Sequence, residues 1–562
     1  MLVSLSCQPN KSILEQLRAL GISVTAVCGG NGRCGKCAIR VVEGNVNPGK
    51  HDEKVFGQAG VSDGWRLACG AYASGKIKIE IPENCGAVIA GATGNNPENA
   101  PEDGKICIVA DIGTTTVVCA SVNKDGNIIK TSAFLNPQAV FGADVLTRIR
   151  AYCDGKADAL TRAIRDELAR AIGELVRCSG NTCEDSGAES IKPADVRAII
   201  IAGNTAMLHL LMGYDCNGLR EYPFKPFSLE REKRDAGEIL GTEFAGTEML
   251  VLPGVGAFIG ADIVSGIFGL ELDRTKKPKL LVDLGTNGET VYAENGKLFA
   301  AGAAAGPAFE GGQLSCGMGC VAGAVKSVRF EPVNQPEHHS FGNAGTEETS
   351  DGQIVKTTPC GIVKMTVGTV GGCEPRGICG SGVLELLAGL RNCGIIDEFG
   401  TLSDPYFETG FTFAGTETGE ELTLTQKDIR EVQLAKGAVR AVAEMILKEA
   451  GKTPESVAKE AAAGKNGTMC CCKPEILLAG GFGTGLDVNL IKNLGIFPEN
   501  DIIKNVGNSC LSGLKKVAAG ILCGTAAACE DRLNHIAHSV KVITVAGEPE
   551  FQELFIKHMN FE

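Results

Sequence analysis

Short apolar segments closed by glycine, asparagine or proline recur along the chain, and their periods predict a protein of mixed helices and strands. Near the start, residues 12–20 repeat their apolar positions at helical spacing, whereas 38–42 and KIKIEI (76–81) alternate as strands. A longer pattern then occurs twice. KICIVADIGTTTVVCASVN (105–123) and KLLVDLGTNGETVYAEN (279–295) each read as an apolar strand ending in aspartate, a Gly-Thr turn and a second strand. The two aspartates, Asp111 and Asp283, stand 172 residues apart, which predicts a duplicated fold. PEILLAGGFGTGLD (474–487) adds an apolar strand followed by Gly480 and Gly481. RAIIIAGNTAMLHL (197–210) reads as a strand, a turn of Gly203, Asn204 and Thr205, and a helix.

Residues 85–104 break the pattern. CGAVIAGATGNNPENAPEDG has no periodic apolar face and reads as a linker that lets the N-terminal module move. The expected organisation is therefore α+β and multi-domain: a small domain over 1–84, the linker over 85–104, and two halves of a larger domain over 105–247 and 248–562.

Composition narrows the function. The 562 residues carry a net charge of -13 and only 5% aromatics, a poor match to nucleic acid, which asks for basic surface and stacking platforms. No basic stretch followed by an apolar run opens the sequence, and no run of 18 apolar residues occurs, so a cytoplasmic protein with no membrane partner is expected. The 24 cysteines, in a large chain without a secretion signal, argue against a disulfide framework.

Four cysteines form a pattern. In VTAVCGGNGRCGKC (24–37), Cys28, Cys34 and Cys37 are spaced C-x5-C-x2-C, and Cys69 follows 32 positions later. Three thiolates on one tight loop and one distant thiolate is the ligand layout of a [2Fe-2S] cluster. Glycines between them let the backbone bring N–H donors towards the sulfurs. A zinc module would present paired C-x2-C knuckles, and here there is one. With the flanking helix and strands, this predicts a β-grasp ferredoxin domain; Cys7 and Cys85 fall outside the pattern.

The repeated hairpins carry different chemistry. Turns containing Gly113, Thr114 and Thr115, or Gly285, Thr286 and Asn287, offer amide and hydroxyl donors to phosphate. An aspartate at the strand end can hold a water-coordinated Mg²⁺, which assigns Asp111 and Asp283. Candidate cleft residues are Gly203, Asn204, Thr205, Asp262, Glu310 in GAAAGPAFEGG, and Ser381 in EPRGICGSG, a glycine turn ahead of a helix.

The two hairpins and the late glycine pair resemble the phosphate-1, phosphate-2 and adenosine motifs of the sugar kinase, Hsp70 and actin superfamily, an RNase H-like fold. With CGGNGRCGKC, DIGTTT, NPQAVFGADVLTRI (136–149), AGNTAM, PGVGAFIGADI (253–263), DLGTNGE, GICGSG, QLAKGAVRA (433–441) and LAGGFG in order, nearly the whole chain resembles the reductive activators of corrinoid-dependent enzymes. These are ferredoxin-fused ATPases. The resemblance implies ATP and Mg²⁺ at the cleft, Gly480 and Gly481 against adenosine, and one-electron reduction of Co(II) to Co(I) in a corrinoid protein of a methyltransferase or demethylase system. It also implies a low-potential electron donor, and a homodimer is compatible with it.

Two departures stand out. The last cysteines, Cys510, Cys523 and Cys529, form no further cluster motif, and Cys470, Cys471 and Cys472 lie in an insert without an assigned role. Two other readings fit the same residues: an ATP-driven donor to another low-potential enzyme, and a small-molecule kinase with a redox-sensing ferredoxin domain. The kinase would use Asp283 or Asp262 beside the γ-phosphate, and a phosphorylated product would identify it.

Overall fold

The computed structural model describes residues 2–19, 24, 37–81, 94–96, 99, 104–142, 144–177, 195–285, 287–320, 322–332, 346–348, 354–416, 419, 421–453, 473–480, 487–498, 500–545 and 547–561. Cys28, Cys34, Cys85, Thr286, Cys470, Cys471, Cys472 and Gly481 lie outside the described residues.

The N-terminal part is a four-stranded sheet in the order Leu2–Cys7, Gly75–Glu80, Ala38–Glu43, Trp65–Leu67, all antiparallel. The alternation seen in sequence places Ile77 and Ile79 in its core, with Leu5 and Ile39. Helices Ile13–Ala19 and Asp52–Ser62 accompany the sheet. Asp52, fully buried, accepts from the amides of Leu67 (2.8 Å) and Gly49 (2.7 Å) and so fixes the approach to Cys69.

The remainder repeats one topology. A seven-stranded sheet runs Glu232–Asp235, Glu248–Val251, Val196–Gly203, Ile106–Ile112, Thr116–Val122, Ile128–Leu135, Gly94–Asn95. A six-stranded sheet runs Ile503–Gly507, Glu475–Ala479, Lys279–Leu284, Gly288–Glu294, Lys297–Ala303, Val540–Val542. In both, an antiparallel three-strand meander is followed on its first strand's open side by two parallel strands. The first meander strands, Ile106–Ile112 and Lys279–Leu284, are apolar because both faces are covered, and each ends beside an aspartate. This is the duplicated RNase H-like architecture.

Helices Ala261–Gly269 and Ser509–Leu522 cross between the halves at very short range. A Cβ on Gly513 would lie 1.9 Å from the Ser265 carbonyl, and one on Gly269 would lie 2.5 Å from the Gly513 nitrogen. Only residues without side chains permit that approach, so the crossing holds the two sheets at a fixed spacing.

Two boundaries differ from the sequence expectation. The division at 247/248 falls against the strand Glu248–Val251, which pairs in parallel with Val196–Gly203, so the first half continues past it. Hydrogen bonding to a neighbour strand leaves no mark in composition. Within the expected linker, Gly94–Asn95 pairs with Thr131 and Lys130, and the Asn99 side chain donates to the Ile128 carbonyl at 2.8 Å. Part of the linker is thus an edge strand, held by backbone and amide groups that need no apolar pattern. Among the described residues, no helix is long and apolar enough to cross a membrane.

Candidate functional site

Of the four expected cluster ligands, the structure describes two, and it brings them together. Cys37 and Cys69 sulfurs are 3.3 Å apart, with Cys37 buried and Cys69 partly exposed. The separation is too long for a disulfide, about 2.05 Å. It is near the roughly 3.8 Å between two thiolates on one tetrahedral metal centre with metal–sulfur bonds of ~2.3 Å. Local hydrogen bonds fix the pair: the Ala68 amide donates to the Cys37 carbonyl and Leu14 donates to Ala68, both at 2.8 Å. The donor set therefore fits an iron–sulfur centre.

The second site lies where the two sheets present equivalent strand ends. Asp111 and Asp283 each sit at the end of a first meander strand, and the charge of Asp111 bears on Asp283. Asp262 and Glu289 join them. Burial, reinforced by the neighbouring acids, pushes Asp283 up to about 7 and raises Asp262 and Glu289; Asp111 is raised as well. In Asp111 burial alone does this, opposed by hydrogen bonds from Asn508 and Cys510. Four buried carboxyl groups thus lie within electrostatic reach of their neighbours in this centre. Among the described residues, however, no group of three or more His, Cys, Asp or Glu can enclose a metal ion unaided.

The two turns are held by local hydrogen bonds. The Gly113 amide donates to the Thr116 carbonyl (3.0 Å), and a Cβ there would sit 2.6 Å from that oxygen, so the turn requires glycine. Asn136, from the NPQ segment, donates to the Gly113 carbonyl through its side chain (2.9 Å) and to the Thr115 carbonyl through its amide (2.8 Å). Thr114 is buried, and Thr115 Oγ1 donates to Glu310 Oε2 at 2.7 Å, joining the two halves. The Gly285 amide donates to the Asn287 carbonyl (3.3 Å), while the Asn287 side chain bonds Glu289. Gly480 has φ +115, and a Cβ on it would meet the Leu284 carbonyl at 2.3 Å and Asp283 Oδ1 at 3.0 Å. Gly480 thus abuts the end of the second aspartate's strand.

The other candidates divide. Gly203 and Thr205 lie against Gly260, close to Asp262: a Cβ on Gly260 would be 2.6 Å from the Gly203 carbonyl, 2.8 Å from the Thr205 amide and 2.7 Å from Asp262 Oδ1. Their polar groups are engaged locally. Asn204 caps the helix Thr205–Met212, and Thr205 Oγ1 donates to the Gly256 carbonyl at 2.6 Å. Ser381 Oγ donates to the Lys326 carbonyl at 2.9 Å instead of joining the acids.

Sequence reasoning missed Asn508, Ser509, Glu289 and Cys510. Asn508 donates to Asp111 Oδ2 at 2.7 Å and Ser509 to Asp283 Oδ2 at 3.2 Å, so neighbouring residues touch the aspartate of each half. The duplication held the clue. Asn508 and Ser509 follow the strand Ile503–Gly507 just as PGVGAFIGAD follows Glu248–Val251, so the second half's counterpart of that loop was due there.

Comparison with known proteins agrees with this layout. Residues 2–74 match the 2Fe-2S iron-sulfur cluster binding domain, 106–275 the RACo middle region, and 277–474 with 474–562 the C-terminal domain of RACo, the ASKHA domain. The chain is 27% identical over 501 residues to the corrinoid activation enzyme RamQ of Eubacterium limosum, covering 83% of this chain and 72% of that protein. It is 28% identical over 268 residues to the [Co(II) methylated amine-specific corrinoid protein] reductase of Methanosarcina barkeri, covering 46% of each. The solved structure of a reductive activator for corrinoid, iron-sulfur protein shares its fold, with a TM-score of 0.62 at 24% identity over 99% of this chain and 96% of that one. The chain belongs to the RACo family, the ferredoxin-fused reductive activators of corrinoid-dependent enzymes.

Proposed function

We propose that this protein reduces the Co(II) of an oxidised corrinoid protein to Co(I), restoring the state that accepts a methyl group, and that ATP drives the step. The observation that carries the proposal is the pairing in one chain of the Cys37–Cys69 ligand pair with mirrored aspartates, Asp111 and Asp283, across a two-half cleft. Bound by Cys28, Cys34, Cys37 and Cys69, a [2Fe-2S] centre supplies single electrons, at about −400 mV for plant-type clusters. Each further ~59 mV uphill costs a factor of ten in the one-electron equilibrium.

The residues of the cleft suit Mg²⁺ and ATP. Asp111 and Asp283 would hold the waters of a Mg²⁺ ion, which keeps most of its hydration and needs no cage of protein ligands. That accords with the absence of a closed metal cage among the described residues. The 113–115 and 285–287 turns offer phosphate donors, with Gly480 and Gly481 towards the adenosine. Thr115 is the group that must change partner. Its hydroxyl bonds Glu310 of the other half, and turning to a phosphate would release Glu310 and alter the contact between halves. Nucleotide then favours one arrangement of the halves, the only way binding energy can act on a distant redox step.

The test is anaerobic reduction of a purified Co(II) corrinoid partner with titanium(III) as electron source, with and without ATP. ATP-dependent appearance of Co(I) supports the reading; equal Co(I) in both arms, or a phosphorylated small molecule as product, contradicts it.

A further inference from the structure

The segment NPQAVFGADVLTRI (136–149) contains a charged side chain that the proposed reaction does not use. Arg148 lies on the helix Val145–Ala151 and is fully buried. Its Nε donates to the Gly142 carbonyl at 2.9 Å, and Nη1 faces the Met207 sulfur at 3.1 Å. Nη2, equally buried, has no hydrogen-bond partner, and among the described residues no carboxylate comes within 4 Å of the guanidinium. Burial pulls the Arg148 pKa down to about 10, opposed by the charge of Asp144. Asp144 is itself occupied as the cap of the same helix, its carboxylate accepting from the Thr147 amide at 2.8 Å. A buried cation without a partner destabilises a fold unless opposite charge comes near it.

Two contacts join this cation to the 113–115 turn. Met207, fully buried on the helix Thr205–Met212, is the shared neighbour: its sulfur also meets Asn136 Nδ2 at 3.5 Å. From that same nitrogen Asn136 donates to the Gly113 carbonyl (2.9 Å), and its backbone amide donates to the Thr115 carbonyl (2.8 Å). The guanidinium thus stands two side chains behind the turn, on its carbonyl side, and both intervening side chains are buried and uncharged. Charge acting through such a medium is weakly screened by water and salt, so it is felt by an anion held at the turn.

We propose that Arg148 is a positioning residue for the nucleotide: from behind Met207 and Asn136, its positive charge raises the affinity of the 113–115 turn for phosphate in step with the negative charge the nucleotide carries. The inference rests on the reading of that turn as a phosphate site. In return, the bound phosphates bring opposite charge towards the guanidinium, so the nucleotide-free fold carries a cost that nucleotide relieves. ATP gains most from Arg148, ADP less, and adenosine, which has no phosphate, gains nothing.

The experiment titrates the cluster-loaded protein with Mg-ATP, Mg-ADP and adenosine by isothermal calorimetry, and reads the nucleotide-free Tm by differential scanning fluorimetry. Arg148→Met, an apolar replacement of similar length, should bind ATP about tenfold or more weakly and ADP less so, with adenosine within about twofold of the wild type. Its Tm without nucleotide should equal or exceed that of the wild type, because an unpaired buried charge has gone. Arg148→Gln, which keeps an amide donor for the Gly142 carbonyl, should repeat the pattern. Arg148→Lys, which keeps the charge, should bind all three ligands as the wild type does. Equal losses for the three ligands, or a loss of ATP affinity in the lysine variant as large as in the methionine one, would make Arg148 a packing residue and overturn the proposal. Native ATP affinity in both neutral variants would overturn it too. A wild type that binds no ATP would contradict the proposed function itself, and this inference with it.

Discussion

Asp283→Asn should make the nucleotide-free protein more stable while removing its use of Mg²⁺ and ATP. The folded protein pushes Asp283 from the ordinary 3.8 up to about 7 through burial and the charge of Asp111, eased by the Ser509 hydroxyl. A shift of roughly 3 units at ~1.36 kcal/mol each sets a ceiling of about 4 kcal/mol on the cost of ionising it in the fold. Side-chain relaxation and water raise the effective dielectric, so a gain of about 1–2 kcal/mol is expected. The folded-state pKa is raised, so the folded chain binds the extra proton between about pH 4 and pH 7, and stability falls as pH rises through that window. The amide carries no such term. The gain should therefore be full at pH 8, a rise in Tm of about 2–4 °C per kcal/mol, and shrink steadily towards pH 4. Differential scanning fluorimetry of both proteins across that range, without nucleotide, reads it directly. A lower Tm at every pH would refute the crowded-carboxylate account, because it would mean that the ionised Asp283 stabilises the fold.

Three other perturbations separate the parts. Cys69→Ser should bleach the visible iron–sulfur spectrum, since it removes one of two sulfurs 3.3 Å apart, while the far-ultraviolet dichroism of the larger domain stays the same. Asn508→Ala removes a donor that lowers the Asp111 pKa; at about 1.5–3 kcal/mol for a hydrogen bond to a charged group, the acid limb of an ATP-hydrolysis profile should move up by about 1–2 pH units. Gly480→Ala should weaken binding of a fluorescent ATP analogue at least tenfold and lower Tm, because the new methyl meets the Leu284 carbonyl at 2.3 Å at a positive φ. An alanine variant with native affinity would remove Gly480 from the nucleotide site.

The parts of this protein that could be read from sequence are those built from neighbours along the chain. Each aspartate hairpin packs strand, turn and strand into fewer than 20 residues, so the periodicity and the Gly-Thr turn announce it, and its recurrence announces the duplication. The Cys28–Cys37 spacing carries its meaning for the same reason. What escaped notice depends on distant segments meeting. Asn508 reaches Asp111 across 397 positions and Thr115 reaches Glu310 across 195, and no local pattern prepares either contact. Glu289 was hidden by its strand: a single carboxylate between Gly288 and Thr290 marks no motif, yet it is buried among the acids. Ser381 was drawn in by a glycine turn that suits anions, but its hydroxyl is committed to the Lys326 carbonyl.

The central claim is that nucleotide held at Asp111 and Asp283 drives an electron that the cysteine-bound centre delivers. The most direct measurement is single-turnover reduction of a Co(II) corrinoid partner by the pre-reduced protein, comparing the wild type with Asp111→Ala, each with its iron–sulfur spectrum intact. The account predicts ATP-dependent Co(I) from the wild type and none above the nucleotide-free background from the variant. Equal ATP-dependent Co(I) from both would contradict it.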